Sequence, residues 1–126
     1  MMLIDTDVLI SNLRGNQRAQ SFLDALPHLQ LSAVTYIELV QGLRNKAELK
    51  ALRQAMHYWD AEIEPISEAV SSRAMYLVES YSLSHGLQMA DALIAATAVT
   101  LGETLVTAND KHYRFIDDLE VEVFRP

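Results

Sequence analysis

The chain has 126 residues, 17 acidic against 10 basic, a net charge of −7 at pH 7, and half of it is hydrophobic. That length fits one compact domain with a sizeable core, and the absence of cysteine excludes a disulfide framework, a zinc–thiolate site and a thiol nucleophile. The acidic balance argues against a phosphate-binding surface, unless the acids gather around divalent cations, where the formal charge overstates the repulsion.

Met2 to Ile4 is short, apolar and followed by Asp5, the pattern of a buried parallel strand. Asp5 and Asp7 interrupt the N-terminal apolar run and no basic start precedes it, so a strand is expected here and not a signal peptide. Thr6 and Asp7 suit the cap of a helix through Val8, Leu9, Ile10 and Leu13 that stops near Gly15. A second helix is predicted over Gln17–Leu26, ended by Pro27, and a short strand over Leu29–Leu31. Ser32 then caps a helix whose apolar set is Val34, Ile37, Leu39, Val40 and Leu43. Leu49, Leu52, Met56 and Trp59 have helical spacing within Ala47–Trp59, and Glu62–Pro65 is a strand cut off by proline. Ser67 caps a helix through Val70, Ala74, Leu77, Val78 and Tyr81, followed by a loop at Ser84–Gly86. Met89–Leu101 is apolar on nearly every face, so a central buried helix is predicted, ended by Gly102. Thr104–Val106 is a strand, Ala108–His112 a polar loop, and Val121–Phe124 a final strand.

Strands alternating with helices imply an α/β domain with a mainly parallel central sheet flanked by helices. No linker, repeat or low-complexity run divides residues 1–126, so a single domain is expected. The most apolar run, Ala92–Leu101, falls short of the roughly 18 residues of a membrane span. With no cysteine, a cytoplasmic protein is expected.

Four acids lie at the edges of elements expected to be buried: Asp5, Glu38, Asp91 and Asp110. An ionised carboxylate among apolar residues is costly unless paired, hydrogen-bonded or metal-bound. Four of them share a site only with cations between them. Hydrolysis of a phosphodiester needs an activated water and stabilised oxygen charge, which hard cations such as Mg2+ or Mn2+ supply through oxygen ligands. In parallel sheets, ligands bind beyond the carboxyl ends of strands, and Asp5, Asn109 and Asp110 each follow a predicted strand.

The segments LIDTDVLI, TYIEL with the following Gly42, ADALIAATA and LVTANDKHY, in that order, resemble a PIN domain, and within that superfamily the VapC-type toxin ribonucleases. The resemblance covers essentially the whole chain. It implies a metal-dependent endoribonuclease, the toxin of a type II toxin–antitoxin pair, that cleaves RNA with a metal-activated water. It implies Mg2+ or Mn2+ held by Asp5, Glu38, Asp91 and a fourth group after Thr107, a homodimer, and a cognate VapB-like antitoxin that obstructs the acidic pocket. Thr107, Asn109 and Asp110 all lie at the fourth position; Asp110 is taken as the charge, with Asn109, Thr107 and Thr6 as polar helpers. Asp7 stands where Asn or Ser is commoner in the family.

Each acid also has a plainer reading. Asp7 is assigned to capping. Glu38 alone leaves open an exposed helix face. Asp91 suits the positive end of a helix dipole, and Asp110 alone is a turn residue beside Asn109. The joint pattern is what assigns a site. The histidines show no zinc spacing; His112 falls near the proposed site, within reach of a phosphate, but is read first as an ordinary loop residue. Arg14, Arg18, Arg44, Lys46, Lys50 and Arg53 are read as solvated faces or an RNA groove, and Tyr76, Leu77, Tyr81 and Leu83 as internal packing or a dimer face. Two rivals remain at this point. One is a non-catalytic binding module of the same fold, which tolerates dispersed acids. The other is a Mg2+-dependent phosphatase of another α/β fold, using Asp5-Thr6-Asp7 as a D-x-D motif.

Overall fold

The computed structural model describes all 126 residues. In chain order the elements are β1 (Met2–Ile4), α1 (Thr6–Leu13), α2 (Gln17–Ala25), β2 (Gln30–Ser32), α3 (Ala33–Gln41), α4 (Lys46–Tyr58), β3 (Glu62–Glu64), α5 (Glu68–His85), α6 (Met89–Leu101), β4 (Thr104–Thr107), a 3-10 turn (Asp110–His112) and β5 (Val121–Val123).

Every strand pair is parallel. β4 lies between β1 and β5, while β2 pairs with β3. The expected central sheet is thus hydrogen-bonded as two ladders, with β2 running beside β1. Successive side chains of a strand point to opposite faces, and β1 and β4 use both. Leu3 and Leu105 enter one core with α5 and α6. Ile4 and Val106 enter a second core with Val8 and Leu9 of α1, Leu23 of α2, Leu39 of α3 and Leu52 of α4. The result is three layers, helices on both faces of a parallel sheet. Each fully buried Leu or Ile here contributes about 1.5–3 kcal/mol relative to exposure.

α6 carries the heaviest burial, with Ala92, Ile94, Ala95, Ala96 and Ala98 all inside, as its all-apolar sequence predicts. Small alanines let α6 and α5 pack closely. The loop expected at Ser84–His85 is instead the last turn of α5, closed by Gly86 at φ +70. Stacking explains the extension: the His85 ring lies 4.3 Å from Phe115 at 13°, and Tyr81 sits 5.2 Å from the same ring. Ile37, placed in the apolar set of α3, is exposed. β2 sits one residue later than expected, because Gln30, Leu31 and Ser32 are the residues in register with Glu62–Glu64.

Candidate metal centre at the carboxyl ends of β1 and β4

Asp5 is the residue where β1 becomes α1. Its backbone N–H still donates to Val106 of β4 at 2.9 Å. Its side chain is the N-cap of α1, with Oδ1 accepting from the Thr6 N–H at 2.8 Å. The cap was expected at Thr6 or Asp7. It moves to Asp5 because Asp5 is the last extended residue, and only a residue outside the helix can turn its side chain back onto the first free N–H groups.

The other oxygen, Oδ2, accepts from the Thr107 hydroxyl at 2.8 Å. Thr107 is the last residue of β4 and fully buried. Ile4 and Val106 are partners in the ladder, so the next residue of each strand meets across it. Asp7 joins this cluster. Its Oδ2 accepts from the Ala108 N–H at 3.0 Å and lies 3.2 Å from Thr107 Oγ1. A hydroxyl has one proton, and the shorter contact assigns it to Asp5. Thr107 Oγ1 in turn accepts from the Asn109 N–H at 3.1 Å. Asp7 Oδ1 is buried with no hydrogen-bond partner. Asp7 is thus not a cap but the anchor of the loop after β4.

Burial pushes the Asp5 carboxyl up, and the neighbouring Asp7 charge adds to it, against the lowering effect of the hydrogen bonds from Thr107 and Thr6. The net result is a pKa of about 7 in place of 3.8.

Glu38 is half-buried on α3. Its Oε1 accepts from the Thr6 hydroxyl at 2.7 Å, and the Thr6 oxygen lies 3.0 Å from that of the buried Thr35. A carboxylate only accepts, so Thr6 donates to Glu38 and accepts from Thr35. Beyond Glu38 the surface opens into a cleft of about 560 Å³ between α1, α3 and the start of α4, flanked by Arg14 and Arg44.

Asp91 lies in the first turn of α6, whose N-cap, Gln88, makes no side-chain capping bond. A carboxylate there is favoured by the helix dipole. Its Oδ1 accepts from the Tyr113 hydroxyl at 3.0 Å, and its Oδ2 lies 3.2 Å from His112 Nδ1. His112 Nε2 is 3.2 Å from Asn109 Nδ2. The neutral Nδ1–H tautomer satisfies both contacts, donating to Asp91 and accepting from Asn109.

Asp110 starts the 3-10 turn through its carbonyl, which accepts from the Tyr113 and Arg114 N–H groups. Its carboxylate accepts from none of the hydroxyls, Thr6, Thr107 and Tyr113, that hold Glu38, Asp5 and Asp91. No three acidic or histidine side chains lie close enough together to hold a metal ion between them. The structure therefore links Asp5 to Thr107, Glu38 to Thr6 and Asp91 to Tyr113, and leaves the Asp110 carboxylate outside that network. Sequence reasoning missed Thr35 and Tyr113, and it placed Asp7 and His112 near the site but favoured a cap and a loop residue for them. Thr35 was the easiest to find, since it lies three residues before Glu38 on one helix face.

Residues 2–118 match the family model described as PIN domain. The chain is 32% identical over 124 residues to Ribonuclease VapC10 of Mycobacterium tuberculosis, covering 95% of this chain and 91% of that protein. To Ribonuclease VapC19 of the same organism it is 32% identical over 126 residues, covering 95% and 98%. A toxin–antitoxin complex from Klebsiella pneumoniae aligns with a TM-score of 0.81 at 27% identity, covering 98% of this chain and 97% of that one. VapBC2 from Rickettsia felis, solved with a DNA fragment from its promoter, shares the fold with a TM-score of 0.82 at 20% identity, each chain covered to 98%.

Proposed function

The chain belongs to the PIN domain family, and on that premise we propose that it is a metal-dependent endoribonuclease, the toxin of a type II toxin–antitoxin pair. The observation that carries the reading is that three acids from separate segments, Asp5, Glu38 and Asp91, are each held by a buried hydroxyl, of Thr107, Thr6 and Tyr113 respectively. Its relatives named as ribonucleases and the toxin–antitoxin complex it resembles support the same activity.

The residues fit a hard divalent cation. The donors are all oxygens. Asp7 Oδ1 is a buried acceptor without a partner, and Asp5 lies beside the like charge of Asp7; a cation bound at Asp5 offsets that repulsion. No three acidic or histidine side chains converge on one point, but Mg2+ keeps several waters and is bound through only one or two protein carboxylates. Asp5, Glu38, Asp91 and Asp110 are the ligands we assign, with Mg2+ or Mn2+ as the ion and Asn109 as a polar helper. When bound, such an ion stabilises charge on the phosphodiester oxygens and lowers the pKa of water. The protein's part is positioning: Thr107 and Thr6 N–H fix both oxygens of Asp5, and Thr6 fixes Glu38.

RNA is the substrate in this reading, and the partners are a cognate VapB-like antitoxin and a second copy of the chain. The cleft beside Glu38 has an apolar floor with Arg14 and an Arg44–Glu48 ion pair around it, and in this reading an antitoxin segment reaches the acids there. Exposed Met75, Tyr76 and Leu83 on α5 support a dimer face.

Asp5→Asn and Asp91→Asn each keep shape and remove a ligating charge. Both variants are expected to stay folded by circular dichroism and to lose cleavage of RNA in Mn2+. Full ribonuclease activity in either sinks the assignment, and RNA binding without turnover in the parent protein favours a binding module.

A further inference from the structure

Tyr113 is the one site-facing phenol, and none of the four-acid logic calls for it. It is only 1% exposed and sits in the core that holds Leu3, Ala95 and Leu105. A hydroxyl at such depth needs a partner. Its partner is the carboxylate of Asp91, at 3.0 Å. An ionised carboxylate only accepts, so the Tyr113 hydroxyl is the donor in this bond. Asp91 itself is only half-buried and has a single other contact, the largely exposed His112. A carboxylate on the first turn of a helix turns about its side-chain torsions unless something fixes it, and the rigid ring of Tyr113, locked in the core, is what does so.

We propose that Tyr113 is a positioning residue that orients the Asp91 carboxylate for divalent-cation binding. The inference rests on the metal-centre reading above. Tyr113 acts through Asp91 and touches neither RNA nor ion. Partners that orient ligating carboxylates typically contribute 10–100-fold to metal affinity or activity. The ring fills core volume whether or not the hydroxyl is present, so Tyr113→Phe separates orientation from packing.

The test uses the full chain, with Mn2+ alone as the probe, titrated by calorimetry into metal-free parent, Tyr113→Phe, Asp91→Asn and the double variant. Tyr113→Phe is expected to weaken Mn2+ binding by about tenfold or more. Excess Mn2+ is expected to restore much of its ribonuclease activity. In the Asp91→Asn background, Tyr113→Phe is expected to add nothing. If Asp91→Asn weakens Mn2+ binding while Tyr113→Phe stays within about twofold of the parent, positioning by Tyr113 is wrong and the metal centre stands. An undiminished effect of Tyr113→Phe in the Asp91→Asn background also overturns it, because Tyr113 then acts elsewhere. If Asp91→Asn binds Mn2+ like the parent, the metal reading fails and the inference falls with it.

Discussion

At the residue scale, the strongest electrostatic feature is Asp5. The residue is 6% exposed, and burial raises the pKa of its carboxyl from 3.8 to about 7. A raised carboxyl pKa means the folded state binds more protons than the unfolded chain between those values. Stability therefore falls as pH rises through that window. In EDTA, the thermal midpoint of the parent is expected to drop from pH 4 toward pH 7 on account of this group. Asp5→Asn should flatten that fall; a parent profile that rises through the window instead contradicts the assignment. The loop after β4 poses a second question. Asp110 brings a full charge, whereas the Asn109 amide is already engaged with His112. Asp110→Asn is expected to cost more ribonuclease activity than Asn109→Ala and to be partly rescued by excess Mn2+. The reverse order in a side-by-side assay moves the fourth position to Asn109.

At the scale of elements, the site is held by the seam between α1 and the loop after β4. Asp7 ties that seam by accepting from Ala108 N–H. Asp7→Ala leaves this N–H without its partner, a loss of about 1–3 kcal/mol when buried, partly offset by relief of repulsion with Asp5. Faster hydrogen exchange at Ala108 is the expected signature; unchanged exchange means the loop is held some other way. Helix ends are the other element-scale device. α5 and α6 both stop at a glycine in the left-handed region, Gly86 at φ +70 and Gly102 at φ +68. A Cβ at either meets no atom within 4 Å, so Gly102→Ala carries only backbone strain, about 1–2 kcal/mol. A chemical-denaturation midpoint equal to the parent's contradicts this.

For the whole molecule, the two cores meet across a sheet whose strands are only three or four residues long. So short a ladder contributes few backbone bonds, and side-chain burial on both faces supplies the rest. Leu105→Ala removes a fully buried side chain from the central strand and is expected to cost about 2–5 kcal/mol of unfolding free energy, read by urea titration. Cation binding acts on the same equilibrium. An ion that binds only the folded state stabilises it by about 2.7 kcal/mol at one hundred times its Kd. Mn2+ is expected to raise the thermal midpoint of the parent and to do so much less in Asp91→Asn. No helix is long and apolar enough to cross a membrane.

Much of this protein is legible in the amino-acid order because its governing signals are local. Apolar spacing marks α4 and α5, an all-apolar run marks α6, Ser32 and Ser67 cap the helices they precede, and an acid directly after β1 or at the head of α6 needs only a few neighbours to be noticed. What the acids lean on is not local. Thr107 and Asp5 are 102 residues apart, and Tyr113 and Asp91 are 22 apart. Those pairs exist because the β1–β4 register sets Asp5 beside Thr107 and because the 3-10 turn swings Tyr113 under α6. Asp7 reads as a cap until the loop from β4 is seen to land on it. His112 reads as a loop residue until Asp91 is found beside it. Periodicity reports which face of an element is buried; only the packed chain decides which polar groups meet there. Each such meeting depends on strand register and helix placement, which segments far apart in sequence fix jointly.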